Sequence, residues 1–331
     1  VRRDNETQAV AEHSDGALLV GDIGGTNSRF AIAAGGAGWP LLEHWRELPN
    51  DGADGLEDQL RRYLQALPGA APTAACLAIA GPIRGRRARL TNRPWTIDST
   101  ALENALALRR VTLLNDFAAL AHALAFLPPA GSTVLQAGAA GARGPLAVLG
   151  PGTGLGAALV LQPGEQQQVV PTEAGHADFA PVAPRDWALQ QALTATAAPV
   201  TAEQVLRGDG IAQLYLALGG GKRTTAAVCA GAGDDPLADE ALSWYLQLLG
   251  RFAGSLAVTL GATGGVYLAG GVLPRLAGTL PGSGFLDGFN DRGPLADYAR
   301  AIPVRLVTEP AAAAGGAAIA ARHASDRHSA A

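Results

Sequence analysis

Leu18-Leu19-Val20-Gly21-Asp22-Ile23-Gly24-Gly25-Thr26-Asn27-Ser28-Arg29-Phe30-Ala31-Ile32 reads as apolar strand, glycine turn, apolar strand. The same plan recurs at Leu146-Ala147-Val148-Leu149-Gly150-Pro151-Gly152-Thr153-Gly154-Leu155-Gly156-Ala157-Ala158-Leu159-Val160. Neither apolar run is long enough before its glycines to make a helix, so each segment reads as a β-hairpin. Roughly 130 residues separate the copies, about one domain length, which predicts two related lobes. Glycines in the turns allow positive φ and let backbone N–H groups approach an anion. With Gly24-Gly25-Thr26 in one turn and Gly152-Thr153-Gly154 in the other, the expected shared ligand is the phosphate chain of a nucleotide.

The chain has 331 residues, enough for about two domains with sizeable cores. Hydrophobic residues make up 48% and charged residues 16%, the balance of a compact enzyme. A formal charge of −4 argues against nucleic acid, whose backbone needs a basic face. The cluster Arg84, Arg86, Arg87, Arg89 is short and reads as a solvated hairpin. Cys76 and Cys229 lie far apart without Cys-x-x-Cys partners, which disfavours zinc or disulfide frameworks and suits a reducing compartment. Residues 1–15 are polar, expected to be a disordered lead-in, and have no apolar core of a signal or anchor. No apolar run reaches the roughly 18 residues of a membrane span, so the expectation is a cytoplasmic protein with no membrane partner.

Periodicity places the remaining elements. Leu56 to Leu67 has helical spacing, Ala74 to Ala80 reads as a buried strand, and Leu90 to Thr96 as a short strand. Ser99 or Thr100 is expected to cap a helix over Ala101 to Leu108, followed by a strand at Val111 to Leu114 and a helix from Phe117 to Leu127. Pro128 to Gly144 reads as the crossing into the second lobe. There, beyond a polar loop over Gln162 to Gln168, helices are expected at Asp186 to Leu193, Ala202 to Leu206, Gly210 to Leu218 and Pro236 to Leu260. Strands follow at Val266 to Ala269 and Val304 to Val307, then a helix over Ala311 to Ala321. The fold class is α/β, with one lobe over residues 16–127 plus 311–328 and the other over 128–310.

Gly152-x-Gly154-x-x-Ala157 formally satisfies a relaxed dinucleotide fingerprint, yet the following residues make one strand and stop at Pro163-Gly164, where that motif requires a helix. Gly219-Gly220-Gly221-Lys222-Arg223-Thr224 has Arg223 where a P-loop needs Ser or Thr, and reads as a helix-ending loop. Asp22, at a strand end before the glycines, either caps a turn or holds hydrated Mg²⁺ near the phosphates. Asp116 follows Asn115 at the C-terminal end of a strand, where clefts form in open α/β sheets; a helix cap is its alternative. Glu173-x-x-His176 matches metal-binding spacing, but Pro171 and Gly175 interrupt any helix and no second such pair exists. A carboxylate and an imidazole on one loop are better suited to gripping vicinal hydroxyls. Glu203 reads on its own as an acid favoured by a helix's first turn.

From about Ala17 to Arg322 the chain resembles the bacterial glucokinases of the hexokinase and actin-like ATPase superfamily, with every motif in order. Gly21-Asp22-Ile23-Gly24-Gly25-Thr26-Asn27 resembles the first phosphate motif and Gly152-Thr153-Gly154-Leu155-Gly156 the second. The stretch Gly265 to Arg275, with Gly270-Gly271, resembles the adenosine motif, and Leu114-Asn115-Asp116-Phe117 the segment of the catalytic base. Glu173 to Pro181 and Ala202 to Leu206 resemble the two remaining sugar segments. Ala174 stands where glycine is common and Gln204 where arginine is common, which bears on the shape of the sugar pocket. The related ROK kinases carry a cysteine-rich zinc motif that is missing between Cys76 and Cys229, so the resemblance is to the zinc-free branch.

The resemblance implies two actin-like (ribonuclease H-like) lobes with an interlobe cleft. It implies ATP and Mg²⁺ as cofactors, with Gly24, Gly25, Thr26, Asn27, Gly152, Thr153, Gly154, Gly270 and Gly271 on the nucleotide and Asp22 on the metal through water. It also implies glucose bound by Asn115, Asp116, Glu173, His176 and Glu203, Asp116 as catalytic base, phosphorylation at the 6-hydroxyl, and a homodimer. Alternatives are a kinase for mannose, fructose or an amino sugar, and a non-catalytic sugar-sensing protein or actin-like assembly on the same lobes.

Overall fold

The structure is a computed structural model and describes residues 17–195 and 198–329; the expected lead-in, residues 1–15, lies outside the described residues. The chain forms two compact units, one of the described residues through Ala119 together with those from Ala313, the other Leu120–Ala312.

Unit one runs β1 (Leu18–Ile23), β2 (Asn27–Ala34), β3 (Leu41–Pro49), α1 (Leu56–Gln65), β4 (Ala74–Ile79), β5 (Ile83–Arg84), β6 (Arg87–Arg89), β7 (Thr96–Asp98), α2 (Ser99–Leu106), β8 (Arg110–Asn115) and the start of α3 (Asp116–Ala123). Its main sheet has the order β3-β2-β1-β4-β8. β1, β4 and β8 are parallel, so Ile23, Ile79 and Asn115 form one row across the sheet. On one face, Leu60 and Tyr63 of α1 pack with Leu19, Ile23, Phe30, Leu77 and Ile79. The Phe30 and Tyr63 ring centroids are 5.3 Å apart. Each such side chain, fully buried, contributes about 1.5–3 kcal/mol. The C-terminal helix, Ala312–Ser329, sets Ala314 and Ala318 against Val20 and Ala31, small side chains that bring helix and sheet close together.

Two expectations in this unit are corrected. Of the expected strand Leu90 to Thr96 only Thr96 is in a strand, as the start of β7; Leu90 to Trp95 is a turn closed by the Leu90 N–H on the Trp95 carbonyl at 3.1 Å, and Trp95 is held by burial, not by a ladder. The cap of α2 is Asp98, whose carboxylate accepts from Thr100 and Ala101 N–H, so the helix starts two residues before Ala101. The arginine cluster does form an exposed hairpin, β5–β6.

Unit two runs β9 (Ser132–Gln136), β10 (Leu146–Pro151), β11 (Leu155–Leu161), β12 (Gln168–Thr172), α4 (Pro184–Thr194), α5 (Ala202–Leu206), α6 (Gly210–Ala217), α7 (Thr225–Ala230), α8 (Pro236–Leu260), β13 (Gly265–Leu268), α9 (Phe285–Asn290), α10 (Ala296–Arg300) and β14 (Val304–Val307). Its sheet has the order β12-β11-β10-β13-β14-β9. The first five positions repeat the plan of unit one: antiparallel hairpin, third strand outside it, two parallel strands on the other side. The duplication seen in the hairpins therefore extends to the sheets. The core forms around α8, where Leu242, Tyr245, Leu246 and Leu249 are buried. Asp235 caps its start and Gly261, at φ 59, ends it. The glycine run after α6 ends that helix, with Gly219 at φ 92. Among the described residues no helix is long and apolar enough to cross a membrane.

Candidate active site

In unit one the turn between β1 and β2 is held from beneath by side chains. Asn50 is fully buried; its Nδ2 donates to the Gly24 carbonyl at 2.8 Å, its Oδ1 accepts from Ser28 Oγ at 2.7 Å, and its N–H donates to the Thr26 carbonyl at 2.8 Å. Arg93 Nε donates to the Gly25 carbonyl. The expected positive φ is absent from Gly24, Gly25, Gly152 and Gly154. At Gly25 the space is tight instead, since a Cβ there would lie 3.0 Å from Asn92 Cβ and would need a shift of a few tenths of an ångström.

The C-terminal edge of the same sheet carries the carboxylates. Asp22 and Leu114 share a register row, and Asp116 continues that face one step past β8. β1 and β8 are two strand spacings apart, about 10 Å, so the two carboxylates face one region. Arg29, opposite Asp22 on β2, donates to Asp22 Oδ2 at 3.2 Å and also pairs with Glu47. Burial holds the Asp22 carboxyl above its usual range, against the pull of Arg29. Asp116 is pushed up to about 7, chiefly by burial and next by the charge of Asp22. Hydrogen bonds from the Phe117 N–H, its own N–H and Asn115 oppose that rise.

The cap of α3 is mainly Asn115. Its Oδ1 accepts from Phe117 N–H at 3.0 Å and Ala118 N–H at 3.2 Å, while Asp116 shares only the Phe117 N–H. Both residues are half-buried. With its oxygen committed to the helix, Asn115 turns its amide N–H groups toward Asp116 and the Gly81 carbonyl, 3.5 Å away.

In unit two, Glu173, His176 and Glu203 are brought together by the backbone of Leu155, the first residue after the second glycine turn. Glu203, on α5, accepts the Leu155 N–H on Oε2 at 2.8 Å. A Cβ on Gly154 would lie 2.3 Å from that oxygen. Glu173 precedes and His176 ends a 3₁₀ turn, Ala174–His176, packed on the same residue: a Cβ on Gly175 would lie 2.2 Å from the Leu155 carbonyl. Both side chains are exposed, whereas Glu203 is half-buried. The Ala177 carbonyl receives the Ala202 N–H at 2.9 Å, joining the two segments. Ala174 sits without positive φ, so alanine fits the turn, and Gln204 Oε1 accepts the Thr201 N–H at 3.0 Å to start α5.

The second turn is closed by Gly152 N–H on the Gly154 carbonyl and braced by Gly208 N–H on the Gly152 carbonyl, both 2.8 Å. The Gly270 segment lies against it. Gly270 has φ 96, and a Cβ there would meet the Pro151 carbonyl at 2.3 Å, while Gly271 borders open space. Among the described residues no group of three or more His, Cys, Asp or Glu side chains could hold a metal by itself.

The sequence reading missed Asn50, Arg93, Gly208 and Asp186. The Asp186 carboxylate, fully buried, accepts from Val182 N–H, Ala183 N–H, Trp244 Nε1 and Arg251 Nη1 and so fixes the chain leaving His176. Only Asn50-Asp51-Gly52 carried a local signal, that of a turn.

The sequence profile of the glucokinase family matches residues 19–324. The chain belongs to the glucokinase family. The glucokinase of Saccharophagus degradans is 38% identical over 309 residues, covering 91% of this chain and 96% of the relative. The crystal structure of a glucokinase from an Antarctic psychrotroph superposes with a TM-score of 0.81 at 34% identity, covering 93% of this chain and 99% of the other. A ROK family glucokinase from Streptomyces griseus, solved with glucose and AMPPNP, shares the fold at a TM-score of 0.62 and 17% identity, over 92% of this chain and 98% of its own. The enzyme has the actin-like ATPase fold and phosphorylates glucose with ATP.

Proposed function

We propose that the residues gathered at these turns and edges divide the work of phosphoryl transfer to the 6-hydroxyl of glucose. Asn115, Glu173, His176 and Glu203 hold the sugar, and Asp116 takes the proton from the 6-hydroxyl as that oxygen bonds to the γ-phosphorus of ATP and ADP leaves. The turns at Gly24–Asn27 and Gly152–Gly154 hold the phosphates, with Gly270 and Gly271 at the adenosine. The observation that carries this reading is the place of Asp116 one step past β8, on the face of the sheet edge that carries Asp22, where burial pushes its pKa up to about 7. A base poised there is half ionised near neutrality and strong enough to accept a hydroxyl proton late in a loose transition state. Glucose and a nucleotide triphosphate analogue bound together in the Streptomyces griseus relative agree with the pairing of substrates.

Mg²⁺ belongs to the same reading. It takes hard oxygen ligands, keeps most of its water and needs only one or two carboxylates beside the phosphates. Asp22, with Oδ2 on Arg29 and Oδ1 without a hydrogen bond among the described residues, fits that demand. When bound, the ion would neutralise charge on the β- and γ-phosphates. The cytoplasm, where glucose meets ATP, suits an enzyme whose two cysteines are free, and the homodimer implied by the resemblance is checked by sedimentation.

A coupled assay across glucose, mannose, fructose and glucosamine, with ATP, ADP and polyphosphate as donors, tests acceptor and donor together. Glucose with ATP is expected to give the highest kcat/KM. A higher value for another hexose would replace the acceptor, and turnover with no sugar would return the chain to the sensing or assembly alternatives.

A further inference from the structure

The phosphate turn in unit one has two carbonyls held by side chains that no sugar or nucleotide role accounts for. Gly24 gives its carbonyl to Asn50 and Gly25 gives its carbonyl to Arg93. In a trans peptide, as Gly25–Thr26 is, the C=O and the following N–H point in opposite directions. Fixing the Gly25 carbonyl on one side therefore fixes the Thr26 N–H on the other. By the same geometry Asn50 aims the Gly25 N–H. Neither N–H has a hydrogen-bond partner among the described residues, and successive N–H groups aimed together make an anion-binding concavity.

Arg93 is itself held from several sides. Nη1 donates to the Asn50 carbonyl at 3.3 Å, Nη2 pairs with Asp51, and the guanidinium lies 5.6 Å from the Trp95 ring centroid. Its planar fork spans two carbonyls and a carboxylate at once, which a lysine ammonium cannot do in one position. The loop that carries Arg93 is also tied to the acceptor side of unit one: Thr91 N–H donates to the Ala80 carbonyl at 3.2 Å, one residue before the Gly81 carbonyl that faces Asn115.

We infer that Arg93 is a positioning residue for the phosphoryl donor, holding the Gly25 carbonyl so that the Thr26 N–H opens onto the triphosphate. The inference rests on the reading of Gly24–Gly25–Thr26 as the phosphate site. Arg93→Ala, Arg93→Lys and Gly25→Ala are compared with wild type by steady-state kinetics, by glucose affinity from tryptophan fluorescence, and by melting temperature. Arg93→Ala is expected to raise KM for ATP about tenfold, the worth of one hydrogen bond to a charged group, while glucose affinity stays within about twofold. Arg93→Lys is expected to recover little, and millimolar guanidinium ion to restore part of the ATP affinity of Arg93→Ala. A KM for ATP within twofold of wild type in Arg93→Ala, or equal losses toward ATP and glucose without guanidinium rescue, overturns the inference. Gly25→Ala, which presses the turn on Asn92 and spares the Arg93 bonds, separates the two levels. If it too leaves KM for ATP unchanged, the phosphate reading of the turn fails; if it raises KM while Arg93→Ala does not, only the role of Arg93 fails.

Discussion

At the residue scale, Asp116 binds a proton more tightly in the folded state than an unfolded carboxyl, which titrates at about 3.9. A raised carboxyl favours folding while protonated, and that contribution fades as pH rises through about 7. Asp116→Asn is therefore expected to melt above wild type at pH ~8, the gap closing toward pH ~5, in thermal denaturation at both pH values. The same variant should bind glucose yet lose on the order of 10²–10⁴ in kcat. It should also lack the acid limb near about 7 expected of wild-type kcat/KM; activity within tenfold of wild type removes Asp116 as the base. Gly154→Ala forces a methyl against Glu203 Oε2 and displaces that carboxylate from the Leu155 N–H. A shift of this size is expected to lower kcat/KM for glucose on the order of 10-fold to 10²-fold, measured at saturating ATP. Unchanged kinetics would separate Glu203 from the sugar. Most of the residues proposed to touch ligands were legible because their types suit the chemistry, Glu203 only through the family resemblance. Asn50 and Arg93 were not, because a buried amide or an arginine gains its meaning only from which carbonyls it reaches.

At the element scale, the strands that escaped the sequence reading share one property. β3, β9 and β12 are the outer strands of their sheets, and each has faces largely in solvent. Strand patterning comes from burying one face, so Glu43-His44-Trp45-Arg46-Glu47 gives no alternation. The inner strands β1, β4, β10, β11 and β13, apolar nearly throughout, stood out at once. β3 also carries a bulge, with a register shift between Phe30 and Ile32 and His44 at φ 54, which bends an open edge away from flat pairing. The short α9 escaped for a different reason: Phe285 to Asn290 is less than two turns long, and what holds it is the smoothness of α8. A Cβ on Gly250 would lie 1.9 Å from the Phe285 carbonyl and one on Gly254 2.3 Å from the Phe289 carbonyl. Gly250→Ala is expected to cost about 1–3 kcal/mol of stability in urea unfolding, despite alanine's better helix propensity; a stabilised variant would show that α9 can move aside freely.

At the scale of the whole molecule, each unit has its own core, but only unit two is continuous in sequence. Unit one borrows its last element from the far end of the chain, with Ala314 and Ala318 covering Val20 and Ala31 and Gly315 admitting the Trp39 ring at close range. Removing residues 312–329 is expected to strip hydrogen-exchange protection from β1 and β2 while β10 and β11 keep theirs; equal protection in both sheets would show that the helix is dispensable. The borrowed helix also fixes a timetable. Ribosomes deliver a chain from its N-terminus, at about 5–20 residues per second, so the first hairpin emerges while its covering helix is still untranslated. Unit two can reach its full set of contacts before residues 312–329 are made, whereas the hairpin face at Val20 and Ala31 stays bare until they are. Production in cells should accordingly be most sensitive to chaperone supply at that face, and a helix made about 280 residues later decides when the hairpin becomes native.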